Sequence, residues 1–309
     1  MNRPLRLLNI RDVEHLGLQL RVSPSELMRT YDGIKHYPQR YYYRRVIQSK
    51  EKKRPTATPF GEYRKIVNRL SELLKRLSLP RSMHGGLRGH DTRSYVFPHV
   101  GKSTILKTDL KGFFPNVRPS QVYQSFLTLG CSPDVSRIIT RFTTLDGCLP
   151  QGSPTSSLVG NIVTAELAKR LGGLARKHGA VVTTYIDDIA LSGGPSVGNL
   201  KRTVKKIIRQ SGFAPNLEKT MILDSSREQV VAGIRVNSQL DVPSAKLSEI
   251  RKLLRNLEAD VSSGTLIESR RVRSLSGKIR YVSTLNRGAG RVLEDRLRNI
   301  VSRLDDRPS

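Results

Sequence analysis

Three carboxylates stand out in a chain that is otherwise strongly basic. Asp187 and Asp188 are adjacent, with Val181-Val182-Thr183-Thr184-Tyr185-Ile186 before them and Ile189-Ala190-Leu191 after. Both flanks favour strands, so the pair falls at the centre of a hairpin. Neighbouring strand residues point to opposite faces, and only a tight turn lets adjacent carboxylates converge. Anions held that close repel, so such a turn suits a bound cation. Asp109 closes a third strand-forming run, Thr104-Ile105-Leu106-Lys107-Thr108-Asp109. Three such groups can hold two Mg²⁺ ions, which prefer oxygen ligands and take a few carboxylates plus substrate phosphates. Two metals roughly 3.5–4 Å apart stabilise both the attacking and the leaving oxygen of an in-line phosphoryl displacement. The chemistry these residues point to is metal-assisted phosphoryl transfer.

The elements that must position them are legible in outline. Residues 5–30 read as helical, with a cap at Ser23 before Pro24 and Glu26. Tyr41-Tyr42-Tyr43-Arg44-Arg45-Val46-Ile47 reads as a strand that runs into the charged hairpin tip Lys50-Glu51-Lys52-Lys53-Arg54. Residues 60–77 form an amphipathic helix, with Ile66, Leu70, Leu73, Leu74 and Leu77 on one stripe. Residues 81–103, rich in Gly, His and Arg, read as loop, and Gly85-Gly86-Leu87 as a flexible part of it. Short helices follow over 119–126 and 133–142, then a longer one over 156–171 that opens after Gly152-Ser153-Pro154. Residues 199–211 form a basic amphipathic helix, 229–236 a strand, and the chain is helical from Pro243 onward. The best domain boundary is near 241–243.

The 309 residues are enough for one large or several small domains. Lys and Arg number 54 against 26 Asp and Glu, a formal net charge of +28. Residues 1–108 carry +15, 109–240 carry +7 and 241–309 carry +6, so the excess coats the whole body and is not confined to a tail. A groove that tracks many phosphates needs that pattern, because released counterions supply affinity. Only Cys131 and Cys148 occur, which excludes a disulfide scaffold and a four-cysteine zinc site; both read as small apolar fillers. No apolar run approaches the roughly 18 residues of a membrane span. The expectation is a soluble cytoplasmic protein with a polyanionic partner.

Four segments in order carry a family resemblance. They are Lys107-Thr108-Asp109-Leu110-Lys111-Gly112-Phe113-Phe114-Pro115; Leu149-Pro150-Gln151-Gly152-Ser153-Pro154; Tyr185-Ile186-Asp187-Asp188; and Gly212-Phe213-Ala214-Pro215-Asn216-Leu217-Glu218-Lys219. Their order and spacing resemble the palm motifs of reverse transcriptases, and most closely the bacterial retron and retron-like class, many of which act in phage defence. The resemblance covers about residues 40–240 strongly and the C-terminal helices loosely. It implies an α+β right-hand polymerase fold. Residues 1–108 would be N-terminal helices and fingers; 109–240 the palm, with 116–150 part of the fingers; and 241–309 a basic helical thumb.

It also implies roles. Asp109, Asp187 and Asp188, with the carbonyl of Leu110, would hold two Mg²⁺ ions. Phe114 would lie under the sugar of the incoming deoxynucleotide and exclude a 2′-hydroxyl, while one of Phe113 and Phe114 is plain core. Gln151 would meet the nucleotide, and Gly152, Ser153, Gly233 and Gly277 the template–primer, Gly277 from a turn in the thumb. Lys219 would protonate or neutralise the departing pyrophosphate, and Lys50 and Arg54 would grip the triphosphate, where a planar guanidinium fits phosphate well. The implied activity is copying of a structured noncoding RNA into DNA from dNTPs. The implied partners are that RNA, its RNA–DNA product and an effector protein of a defence system.

Two departures keep a sister branch open. Where retron enzymes carry Asn-Ala, two residues, then His, this chain matches only His99, and it has Val231-Ala232-Gly233 where Val-Thr-Gly is usual. Protein-primed or template-free synthesis is one alternative, and a non-catalytic RNA-binding scaffold another; the intact aspartates count against the scaffold. A palm-fold nucleotide cyclase would leave the basic thumb and the Gln-Gly-Ser-Pro turn without a use. Gly101-Lys102-Ser103-Thr104 ends like a phosphate loop but has Val96 where the first glycine belongs. His84, His90 and His99 lack companions for a metal site and read as RNA or loop contacts.

Overall fold

The computed structural model describes residues 8–48 and 53–305. Chain punctuation explains most of its elements. Asp12 caps α1 (Val13–Leu20), and Arg21, in a left-handed conformation (φ 53°), ends it. Ser23 then accepts from Glu26 N at 3.2 Å and opens α2 (Pro24–His36). The single helix expected over 5–30 is therefore two, because the left-handed Arg21 interrupts a continuous apolar pattern. Strands β1 (Tyr42–Gln48) and β2 (Lys53–Pro59) pair antiparallel as the expected hairpin, and its tip, including Lys50, lies outside the described residues. Helix α3 (Gly61–Leu74) buries Ile66, Leu70, Leu73 and Leu74, the stripe read from the sequence.

Next come α4 (Thr92–Val96), β3 (Thr104–Asp109) and α5 (Phe113–Asn116). Helices α6 (Pro119–Thr128) and α7 (Pro133–Thr143) both start on proline, whose fixed φ suits the first helical turn. Helix α8 (Ser156–Lys177) leads to the hairpin β4 (Val181–Tyr185) and β5 (Asp188–Gly193), then α9 (Lys201–Gln210) and β6 (Met221–Asp224). The expected strand over 229–236 is instead a small hairpin, β7 (Val230–Val231) and β8 (Ile234–Arg235). Its turn residues Ala232 and Gly233 both have positive φ, which breaks the extended run. Helices α10 (Ser244–Ser262), α11 (Ser269–Leu285) and α12 (Arg287–Asp305) close the chain.

The central sheet is antiparallel in the order β4-β5-β3-β6, and side-chain alternation gives it two distinct faces. Leu106, Val182, Ile189 and Leu191 pack with Val204 and Ile208 of α9 and with α8 in the main core, which extends into the N-terminal helices. Ile105 and Ala190, on the opposite face, pack with Tyr95, Val231, Ile234 and Val236. The three C-terminal helices have a core of their own, including Ile250, Leu254, Leu257, Ile279 and Ile300. Among the described residues no helix is long and apolar enough to cross a membrane.

Candidate active site

The site is built where β3 and β5 end together. Their antiparallel register sets Asp109 directly opposite Asp188, an arrangement of like charges that destabilises a bare sheet. Ile186 and Asp187 form the two-residue turn between β4 and β5, and the Asp187 carbonyl accepts from Leu110 N at 3.0 Å. That bond ties the acidic turn to the residue after Asp109. Asp109 and Asp188 line a cavity of about 220 Å³ together with Lys107, Lys219 and Gly233.

The electrostatics are those of anions short of a cation. Burial raises the pKa of Asp187, with Asp109 adding to the shift and the nearby charges of Lys219 and Arg54 opposing it. Burial, then Asp187 and Asp109, push Asp188 up to about 6. Lys219 Nζ donates to Asp109 Oδ2 at 2.9 Å, and this hydrogen bond holds the lysine above its ordinary pKa. Asp109 Oδ1 is buried without a hydrogen-bond partner. Lys107, on the same face of β3, is lowered by burial despite the pull of Asp188. Among the described residues no three acidic, histidine or cysteine side chains are gathered tightly enough to form a finished metal cage. The aspartates are a half-assembled set with an ammonium in it. An orphaned carboxylate oxygen, hard oxygen donors and mutual repulsion fit a divalent cation.

A stability consequence follows. A carboxyl whose pKa rises from 3.8 to about 6 on folding binds a proton more tightly in the native state, so its contribution is present at low pH and lost as pH rises through about 6. Asp188→Asn should therefore raise the melting temperature of the metal-free protein at pH 7.5 by about 2–4 °C, with little effect near pH 4. A calorimetric melt in EDTA checks this; a lower melting temperature at pH 7.5 would contradict the repulsion described above.

The remaining predicted residues are placed as follows. Phe113 is core and Phe114 half-buried beside it, ring centroids 5.4 Å apart. Leu110 is buried next to Asp109. The Gln151–Gly152 turn docks on the β1–β2 hairpin, Ala57 N donating to Gln151 O at 2.7 Å. Gly152 has φ 108°, and a Cβ there would come 3.0 Å from Thr58 Oγ1. Ser153 hydrogen-bonds Thr155 at 3.1 Å at the foot of α8. Arg54 is exposed on β2, within electrostatic reach of Asp187. Gly277 is not in a turn: it lies on the exposed side of α11, because Leu275, Ile279 and Val282 carry the helix through it.

Residues 81–103 do something their composition did not announce. Thr184 N donates to Ser82 O at 2.6 Å and His84 N to Thr184 O at 2.9 Å, so this segment is laid along β4. Gly85 then presses on the acidic turn. A Cβ there would lie 2.6 Å from Ile186 N and 2.9 Å from the Tyr185 carbonyl carbon. Ile186 itself has φ 59°, a left-handed conformation that costs a β-branched residue about 1–2 kcal/mol. Asn161 of α8 holds Gly85 O at 2.7 Å.

The reading of Gly85-Gly86-Leu87 as a flexible loop is thus corrected at Gly85, and that of the histidines as RNA or loop contacts is corrected for His99, which bonds two strands of the sheet. Fully buried, His99 bonds the Ser192 and Thr183 hydroxyls at 2.6 Å each, and burial brings it down to about 3. Buried Tyr95 packs against Tyr185 with ring centroids 5.5 Å apart and the rings tilted by 51°. Gly85, Tyr95 and Asn161 are supports that the motifs did not reveal, a Gly-rich stretch being the one signal near Gly85, whereas His99 is the residue matched in the family's Asn-Ala-x-x-His pattern. Cys131 is buried, its thiol pushed up to about 11, as a filler would be.

Comparison with known sequences identifies the family. The reverse transcriptase (RNA-dependent DNA polymerase) family matches residues 46–236. The Retron Mx65 reverse transcriptase of Myxococcus xanthus is 30% identical over 237 residues, 70% of this chain and 54% of that one. The Retron Ec86 reverse transcriptase of Escherichia coli is 28% identical over 201 residues, 63% of this chain and 62% of that one. The chain thus spans between about half and two thirds of the length of these relatives. Among solved structures, apo telomerase from Candida tropicalis aligns with a TM-score of 0.49 at 10% identity, covering 87% of this chain and 62% of that one.

Proposed function

The chain is a retron-type member of the reverse transcriptase family, with that family's α+β right-hand fold, and on this footing we propose that it copies a structured noncoding RNA into DNA. The observation that carries the reading is the register of Asp109 against Asp188, with Asp187 in the adjoining turn and the Lys219 ammonium already on Asp109. Asp109, Asp187, Asp188 and the Leu110 carbonyl would hold two divalent ions, Mg²⁺ by the hardness of the donors. Those ions, when bound, supply the charge that stabilises the attacking and leaving oxygens.

The chain's own groups do the rest. The primer 3′-hydroxyl attacks the α-phosphorus of a dNTP and pyrophosphate departs. Lys219, whose ammonium lies on Asp109, would neutralise or protonate that leaving group. Arg54, on the fingers hairpin and within electrostatic reach of Asp187, faces the triphosphate, and Lys50, outside the described residues, is assigned the same role. Phe114 forms the floor under the deoxyribose, Gln151 meets the nucleotide, and Gly152, Ser153 and Gly233 border the template–primer. The C-terminal bundle serves as the thumb, with basic helix surfaces suited to the backbone of an RNA–DNA duplex; exposed Gly277 offers close approach there.

Primer extension on an RNA template, with dNTPs and NTPs in parallel, tests this reading. Phe114→Val should raise incorporation of ribonucleotides relative to deoxyribonucleotides by about tenfold to a hundredfold, the scale on which a pocket rejects one extra small group. Unchanged selectivity would remove Phe114 from the sugar site. The RNA is proposed to be the chain's dedicated noncoding partner, and the system an anti-phage one with an effector protein, on the likeness to retron relatives.

A further inference from the structure

Helix α9 carries five Lys or Arg in ten residues and no carboxylate. Val204 and Ile208 bury one side of it, while Arg202, Lys206 and Arg209 stand exposed on the other. Among the described residues none of its five cations is paired with an acidic group. Arg170 of α8 bonds Gln210 at the end of α9, and Lys177, two turns further along α8, is exposed. The two helices therefore share one basic surface.

This surface is not part of the catalytic cleft. Asp109, Lys107 and Ile105 alternate onto one face of the sheet, with Asp188 and Ala190 of β5. Helix α9 packs on the other face, against Leu106, Ile189 and Leu191. The sheet separates the aspartates from the α9 cations, so a template–primer lying over the aspartates cannot be what neutralises them.

We propose that the outer face of α9, with Arg170 and Lys177 of α8, is a second nucleic-acid site that holds the backbone of a base-paired RNA stem. Arg202, Lys206 and Arg209 recur at i, i+4 and i+7 and span about 10 Å of helix, enough to follow several phosphates of one duplex. No Phe, Tyr or Trp occurs in α9 or over 170–178, where His178 is the single ring, so the site lacks the row of stacking platforms that single strands use; a double-stranded RNA is held through its shape and phosphates. A membrane surface is the poorer fit, because an interfacial helix inserts an apolar face and α9 spends its own in the core. The inference depends on the proposed function only in taking the polyanion to be RNA. In a retron-type protein this surface would hold a stem of the RNA while another part of it is copied across the sheet.

The test uses the full chain and a fluorescein-labelled RNA hairpin with a 12-base-pair stem, titrated in the presence of saturating unlabelled template–primer. The wild type should still bind the hairpin. R202Q/K206Q/R209Q should bind it at least about tenfold more weakly, with a log–log salt dependence shallower by about three. Its primer extension should stay within about twofold of wild type, and Lys206→Arg should retain hairpin binding. Unchanged hairpin affinity and salt slope in the triple variant would overturn the proposal. So would displacement of the hairpin from the wild type by template–primer, or loss of binding to phosphatidylserine vesicles with hairpin binding intact. Absence of primer extension in the wild type would sink the polymerase reading alone and leave the hairpin result to stand on its own.

Discussion

Asp109→Asn should lower RNA-templated primer extension by at least about 10³-fold while the protein stays folded. Asp109 shares a rung of the sheet with Asp188 and meets the turn that carries Asp187, so an amide there removes one of two facing charges from the cation site. A metal that stabilises both oxygens of the displacement contributes several kcal/mol, and about 4 kcal/mol corresponds to a thousandfold in rate. Folding should survive, because the substitution also relieves the repulsion with Asp188 and leaves Lys219, whose side chain is 56% exposed, free to be solvated. Single-turnover extension at saturating dNTP, alongside a thermal melt, separates the two effects. A loss below tenfold in a well-folded variant would mean that Asp109 is a structural acid paired with Lys219.

Gly85→Ala should have the second-largest effect, about 10²-fold or more on extension, although Gly85 is no part of any recognised motif. The methyl would sit 2.6 Å from Ile186 N and 2.9 Å from the Tyr185 carbonyl carbon, and both are backbone atoms that no rotamer change can move. Either the 82–85 segment leaves β4 or the acidic turn shifts. A displacement on the order of 1 Å at reacting groups can reduce rate about a hundredfold. The left-handed Ile186 persists only while its surroundings hold it, which makes the turn a poor place to absorb the shift. Gly89→Ala is the control: Gly89, unlike Gly85, has positive φ (+77°), so alanine there brings backbone strain of its own, but its Cβ meets nothing within 4 Å, and extension should fall no more than about threefold. Equal losses in the two variants would contradict the packing account.

What the sequence disclosed and what it hid divide along the range of the interactions. Strand β3 was readable to the residue, because Thr104 to Asp109 is a short β-favouring run with a charge at its end. The β4–β5 hairpin was readable for the same reason, and α2, α6 and α7 were marked by Ser23, Pro119 and Pro133 at their starts. The three aspartates were legible as a set because their spacing matches a family pattern. Hidden features were those set by contacts distant in sequence. The Lys219–Asp109 bond spans 110 residues, and the packing of 82–85 on β4 depends on a chain approach that only a folded sheet offers. Local signals also misled where two rules compete. Apolar periodicity carried a helix through Arg21, where the backbone turns left-handed, and Gly277 suggested a turn within a helix held by its apolar neighbours. Strand β6 is short, with Met221 and Ile222 exposed, and a run of four residues gives little to read.

The most direct test of the central claim is to sequence the product. Purified protein is incubated with a heteropolymeric RNA template, an annealed primer, Mg²⁺ and all four dNTPs, and the extended strands are read base by base. The account predicts DNA complementary to the RNA template, absent when EDTA is added and absent with Asp187→Asn/Asp188→Asn. Product whose sequence ignores the template, or no metal-dependent product from a folded protein that binds the RNA, would contradict it.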